Sequence, residues 1–178
     1  MLASFSRPQY GPKVFCIGYN KTGTTSLARS LKALGFKHAT YNKVIWKDYY
    51  ANKKIDKIIK YTSKFDSLDD LPWLKEDMIP LLDETFPGSK FIYLERDEES
   101  WKKSIYNWTY KKRGDHPDIQ DSVKKFRAHR DFVLNYFKDR GPEEFIVMSI
   151  KDPDGFKKLA NFVGKETDLT GFPHFNRT

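Results

Sequence analysis

The segment from residue 13 to 34 constrains the fold more than any other. Residues 13–18 (KVFCIG) form a short apolar run that closes in glycine, the pattern of a buried strand. Residues 25–34 place Leu27, Leu31 and Leu34 at helical spacing, and Gly35 stops the helix. Between them lies Gly18-Tyr19-Asn20-Lys21-Thr22-Gly23-Thr24-Thr25-Ser26. A loop from a buried strand into an amphipathic helix is where backbone N–H groups converge on an anion. A nucleotide-kinase loop carries its lysine directly after the second glycine. Here Thr24 takes that place and the lysine comes earlier, at Lys21, which moves the cation relative to any transferred group.

The rest of the chain alternates strand and helix patterns. Residues 36–39 suggest a second short strand, and 42–61 a helix or helix pair. The lysines of that stretch (Lys47, Lys53, Lys54, Lys57, Lys60) suit a solvated face. Phe65 to Trp73, bounded by Pro72, has the character of a loop, and a helix over 74–86 ends at Pro87-Gly88. Residues 90–95 (KFIYLE) are the second clear strand. Asp97 is placed as an N-cap, with Glu98 and Glu99 in the first turn and Lys102 and Lys103 beyond, which matches the helix dipole. That helix runs over 98–112 and breaks near Gly114. A long helix over 117–136, a strand over 144–150 and a last helix over 153–163 complete the pattern.

This alternation predicts an α/β domain with a mainly parallel sheet. No repeat, low-complexity stretch or linker divides it. A single domain over 1–178 is expected, with its core at about 13–164 and a tail, 165–178, that packs back through Phe172, Pro173 and Phe175.

Composition narrows the function. A hydrophobic share of 39% and 16% aromatics exclude a disordered chain. The net charge of +8 favours an anionic partner without choosing among nucleotide, sulfated molecule, nucleic acid and acidic membrane. Cys16 is the one cysteine, so no internal disulfide forms, and its apolar neighbours suggest a packed core thiol. No uncharged run approaches the ~20 apolar residues of a membrane span, and residues 1–10 lack a signal-peptide core. A soluble, cytoplasmic protein with no membrane partner is expected.

Lys21–Leu27, KTGTTSL, resembles the 5′-phosphosulfate loop of the sulfotransferases that use 3′-phosphoadenosine 5′-phosphosulfate (PAPS). Those enzymes also hold the donor's 3′-phosphate with an arginine that ends a strand and a serine eight residues on. Arg96 after KFIYLE and Ser104 match that order and spacing. Further segments are similar to one branch of the superfamily: Phe65 to Trp73, Phe86 to Ser104, and Phe172-Pro173-His174-Phe175-Asn176. The resemblance spans residues 13–176. It implies a three-layer P-loop-type domain, with a short central parallel sheet flanked by helices. The chain is shorter than many relatives, so the acceptor does not carry over.

The resemblance implies that a sulfuryl group passes from PAPS to an acceptor hydroxyl or amine, releasing PAP, with no metal. Lys21 would stabilise the leaving oxygen. Thr22, Gly23, Thr24, Thr25 and Ser26 would cradle the phosphosulfate, and Arg96 and Ser104 the 3′-phosphate. Cytosolic relatives take their base from a His-Leu-Pro segment. Asp70-Leu71-Pro72 stands at the similar place, which makes Asp70 the first candidate and Asp66 the second. An aspartate before Leu-Pro-Trp can equally cap a turn. The four histidines show no metal spacing, and His174 suits tail packing. Trp73, Trp101 and Trp108 could stack on adenine or acceptor, or belong to the core. The rival readings are a P-loop kinase using ATP and magnesium, and a basic nucleic-acid-binding module. The displaced lysine opposes the first; the second has no recognition motif. The expected partner is a small-molecule or carbohydrate acceptor, not nucleic acid.

Overall fold

Five strands form one parallel sheet in the computed structural model, which describes residues 10–172. They are β1 (Val14–Cys16), β2 (His38–Ala39), β3 (Ser67–Asp69), β4 (Lys90–Leu94) and β5 (Phe145–Met148), in the order β2-β3-β1-β4-β5. Six α-helices connect them: α1 (Thr24–Ala33), α2 (Ile55–Thr62), α3 (Met78–Thr85), α4 (Glu98–Arg113), α5 (Ile119–Tyr136) and α6 (Gly155–Phe162). A π-helical segment, Ile45–Tyr50, precedes α2.

Strand alternation builds the layers. Phe15, Phe91 and Tyr93 face one core with Met78 and Ile79 of α3 and Val133 of α5. Val14, Cys16, Ile92 and Leu94 face the other, with Leu27 and Leu31 of α1 and Leu159 of α6. Both faces of the central strands are therefore covered, which is why KVFCIG and KFIYLE are continuous apolar runs. This is the expected three-layer α/β architecture. Cys16 is buried in the second core, and that burial pushes its thiol pKa up.

Two local expectations are corrected. The stretch from Phe65 to Trp73, expected to be a loop, contains the inner strand β3. Of the helix or helix pair expected over 42–61, the structure has a pair, broken near Lys53 at φ 54°. The helix expected from residue 74 begins only at Met78. Phe172 packs on Phe156 with ring centroids 6.3 Å apart; Pro173 and Phe175, the other residues expected to pack the tail, lie outside the described residues.

Gly18 shows how closely β1 and β4 approach. A Cβ there would stand 2.8 Å from the Leu94 amide nitrogen and 2.9 Å from its Cβ. Gly18→Ala is expected to cost ~1–3 kcal/mol, the usual range for overpacking. Urea denaturation measures it, and an unchanged midpoint would mean the strands have room to part.

Candidate active site

From β1 the chain turns to α1 and β2 on one side of the sheet, while β4 and β5 lie on the other. The carboxyl ends of β1 and β4 therefore flank a topological switch point, the usual crevice for ligands in an open α/β sheet. The loop after β1 sits there, and side chains from distant elements hold its carbonyls. His129 Nε2 donates to Ile17 O at 2.7 Å. Thr22 Oγ1 donates to Tyr19 O at 2.6 Å. Trp101 Nε1 donates to Asn20 O at 2.9 Å, and Arg96 Nη1 to Lys21 O at 2.7 Å. In a trans peptide the following N–H points opposite to the carbonyl. Tying these carbonyls back thus fixes the peptide planes that carry the N–H groups of Gly18, Asn20, Lys21 and Thr22.

The helix start completes it. Gly23 is the N-cap of α1 at φ 115°, with no side-chain cap, so the first-turn amides of Thr24 and Thr25 carry none. A side chain at Gly23 would meet Ile150 at 2.7 Å. Ser26 and Leu27 donate instead to Gly23 O, at 3.0 and 3.2 Å.

Lys21 is half-buried at φ 66°. Its Nζ lies 5.6 Å from the centre of the Trp108 ring, and Lys112 Nζ lies 4.7 Å from the same ring. Burial, and then the charges of Arg96 and Lys112, hold the Lys21 amine below its ordinary pKa. Among the described residues, Lys21, Lys53 and Asp70 are the non-glycine positions at positive φ. Lys53 marks the break before α2; the other two are the loop lysine and the first candidate base. Backbone strain of this kind collects at functional sites.

Arg96 stands just beyond β4. Its Nε donates to Ser100 Oγ at 3.0 Å, so its two recorded partners, Ser100 and Lys21 O, are both neutral. Of the five guanidinium N–H groups, three remain for a ligand. Ser104 lies half-buried one turn beyond Ser100 on α4, and its hydroxyl has no hydrogen-bond partner among the described residues. Arg96 and Thr22 line a cleft of about 700 Å³ at the carboxyl ends of β4 and β5, with Arg130 and Lys151. Arg127 on its wall is held by Glu98, whose pKa the Arg127 and Lys102 hydrogen bonds lower to about 2.

The two candidate carboxylates separate. Asp70 follows β3 at φ 66° and lines a second pocket, of about 350 Å³, with Tyr19 and Asn20 of the loop. Its Oδ1 accepts from Leu71 N at 2.7 Å. Burial raises its pKa, opposed by the Leu71 N–H, reinforced by Asp69 and opposed again by Lys112. Asp66 precedes β3, at the amino end of the sheet. Its carbonyl pairs with Val14 N and its carboxylate accepts from Lys37 N at 2.8 Å. The structure does not bring Asp66 to the loop, and it is set aside as a base.

Trp73 and Trp101 are fully buried, and Trp101 stacks on Phe126 at 4.3 Å. Trp108 alone of the three tryptophans stands at the loop's lysine. Ser100, Lys112 and His129 are site residues that sequence spacing did not point to. Ser100 has a local signal, as a first-turn serine after a strand-ending arginine. His129 has none, since it meets the loop across 112 residues of sequence. Among the described residues no cluster of three or more His, Cys, Asp or Glu could hold a metal, and no helix is long and apolar enough to cross a membrane.

A family model described as a sulfotransferase domain matches residues 13–116. A search of curated protein sequences finds no match. Solved structures are similar in fold. A sulfotransferase from Alicyclobacillus acidocaldarius aligns with a TM-score of 0.63 at 15% identity, over 97% of this chain and 87% of its own. A sulfotransferase domain from the curacin biosynthetic pathway aligns at 0.61 and 14%, over 90% of this chain and 76% of its own. A gluconokinase from Sinorhizobium meliloti 1021 follows at 0.53 and 11%, over 88% and 93%.

Proposed function

The chain belongs to the sulfotransferase domain family, and on that footing we propose that it carries a sulfuryl group from PAPS to the hydroxyl of a small acceptor. The observation that carries this reading is the set of tied-back carbonyls around Lys21, which fixes the peptide planes of the strand-to-helix loop; the amides of such a loop would converge on one anion. Those amides and the open start of α1 would hold the 5′-phosphosulfate, with the hydroxyls of Thr24, Thr25 and Ser26 beside them. The cleft of about 700 Å³ would take the nucleoside. The free N–H groups of Arg96 would grip the 3′-phosphate from one side and Ser104 from the other.

Transfer is an in-line displacement. The acceptor oxygen bonds to sulfur as the bridging S–O bond breaks, and its electron pair leaves with the 5′-phosphate of PAP. Lys21 meets the charge that grows on that bridging oxygen. The acceptor proton passes to Asp70, whose raised pKa suits a general base. A kinase reading shares the fold, as the gluconokinase likeness illustrates. The cation stands at Lys21, however, and Thr24 occupies the place of the kinase lysine.

Calorimetry with PAP and ATP, with and without EDTA, tests this. PAP is expected to bind regardless of EDTA; tight, magnesium-dependent ATP binding with no PAP preference would make the protein a kinase. Arg96→Ala is expected to weaken PAP by about 10- to 150-fold, the worth of a charge-assisted hydrogen bond. An analogue lacking the 3′-phosphate should lose less. Equal losses for the two ligands would mean that Arg96 serves only to hold Lys21 O.

A further inference from the structure

The pocket beside Asp70 has a lining that specifies what it can bind. It opens on the β3 side of the loop, away from the larger cleft, and α5 lies between the two. Phe126, Arg127 and Arg130 border the cleft, while Ala128 and His129 border the pocket. Its lining mixes donors, on Tyr19, Trp46 and Lys75, with hydrogen-bond acceptors that have lone pairs to spare. His129 is only 3% exposed, and its Nε2 must carry the proton because a carbonyl, Ile17 O, is its partner at 2.7 Å. Nδ1 is then a lone-pair nitrogen with no recorded partner. Burial lowers the His129 pKa, which keeps the ring neutral and the lone pair free. Asn20 lines the pocket as well, with an Oδ1 that has no hydrogen bond but is closed off from solvent. The Asp70 carboxylate accepts one backbone N–H and has further lone pairs to offer.

A ligand that satisfies several acceptors in one small pocket must bring several donors. A phenol or a simple alcohol brings one hydroxyl; a polyol brings a row of them. Tyr19 and Trp46 supply aromatic faces against which the C–H face of a saturated ring can lie. Trp46 is itself backed by Tyr50, stacked at 4.7 Å. The volume of about 350 Å³ lies at the low end of small-molecule sites and suits one ring rather than a chain. At the rim Lys125 is already paired with Asp121 at 2.5 Å, while Lys75 lines the pocket next to Glu76.

We propose that this pocket takes the acceptor, a polyhydroxylated compound of single-sugar size, with Asp70 on the reacting hydroxyl and His129 Nδ1 on a neighbouring one. The inference rests on the sulfotransferase reading of the site. It makes His129 a specificity-determining residue, one that recognises the hydroxyl next to the point of transfer.

The test uses the full chain and radiolabelled PAPS with acceptors of similar size: methyl glucoside and myo-inositol as polyols, 4-nitrophenol and cyclohexanol as single-hydroxyl compounds. Transfer to a polyol is expected, with kcat/KM for partly O-methylated methyl glucosides lower by about 5- to 100-fold where the methyl group blocks the recognised neighbour. His129→Gln keeps a donor for Ile17 O and takes the acceptor away from the position of Nδ1. It should raise KM for the polyol by a similar factor, more than it changes PAP affinity, with the acid limb of the kcat profile still in place. Preference for 4-nitrophenol or cyclohexanol over both polyols would overturn the proposal. So would O-methylation without effect at every position, which needs no variant, or loss of the acid limb in His129→Gln, which would make His129 the base. Transfer to no acceptor, with PAP still bound, would overturn the acceptor assignment and leave the donor site standing. Failure of the wild-type chain to bind PAP would overturn the sulfotransferase reading itself, and this inference with it.

Discussion

Lys21→Ala is expected to lower turnover by about 10²–10³-fold while PAP affinity stays within a few-fold of wild type, the usual cost of removing one preorganised electrostatic group. The asymmetry follows from the loop. Its amides are held by His129, Thr22, Trp101 and Arg96, none of which needs the Lys21 side chain. The ground-state anion therefore keeps its binding surface when the ammonium is gone. The bridging oxygen, which gains charge only as the S–O bond breaks, loses its partner. Alanine at φ 66° carries some backbone strain, so Lys21→Gln, with a longer side chain but no charge, is the companion variant. Single-turnover kinetics should show the loss in the chemical step for both. Full activity in either folded variant would remove Lys21 from the mechanism.

The strand–loop–helix connection that carries Lys21 was legible because its signals are local. The lysine, the glycine and the threonines lie within one strand–helix connection, and Arg96 follows the second apolar strand directly. The acceptor side was not. β3 carries only Leu68 as an apolar residue, between Ser67 and Asp69, and its burial depends on polar partners: Ser67 Oγ lies 2.8 Å from His38 Nδ1. Period-based reasoning looks for apolar alternation and passes over such a strand. Without β3, Asp70 and Asp66 are first and second candidates on one loop; with it, they stand at opposite ends of the sheet. His129 was hidden for a different reason. A buried histidine on a long helix has no spacing pattern, and only the fold reveals that its partner is the carbonyl of Ile17. Ser100 is the immediate partner of Arg96 because the arginine precedes the N-cap Asp97 and meets the first turn of α4 before the second.

Asp70→Asn is expected to reduce turnover by about 10²–10⁴-fold, the range for loss of a general base, with PAP binding unchanged because Asp70 lies in the pocket on the other side of the loop from the nucleoside cleft. Asparagine is the appropriate replacement, since it tolerates the left-handed backbone at φ 66° as aspartate does. The pH profile carries the sharper test. Asp70 must be ionised to take the proton, and its pKa is raised, so the rate should climb through an acid limb above the ordinary carboxylate range. Lys21 must stay protonated, and its pKa is lowered, so the rate should fall through an alkaline limb below the ordinary lysine range. Asp70→Asn should remove the acid limb from the residual activity, and Asp66→Asn should leave it in place. Lys112 acts on both groups with the same sign: its charge lowers the pKa of Asp70 and of Lys21. Lys112→Met should therefore move both limbs to higher pH together, a displacement that damage to one group alone would not produce. An acid limb unchanged in Asp70→Asn would assign the proton to another acceptor in the same pocket.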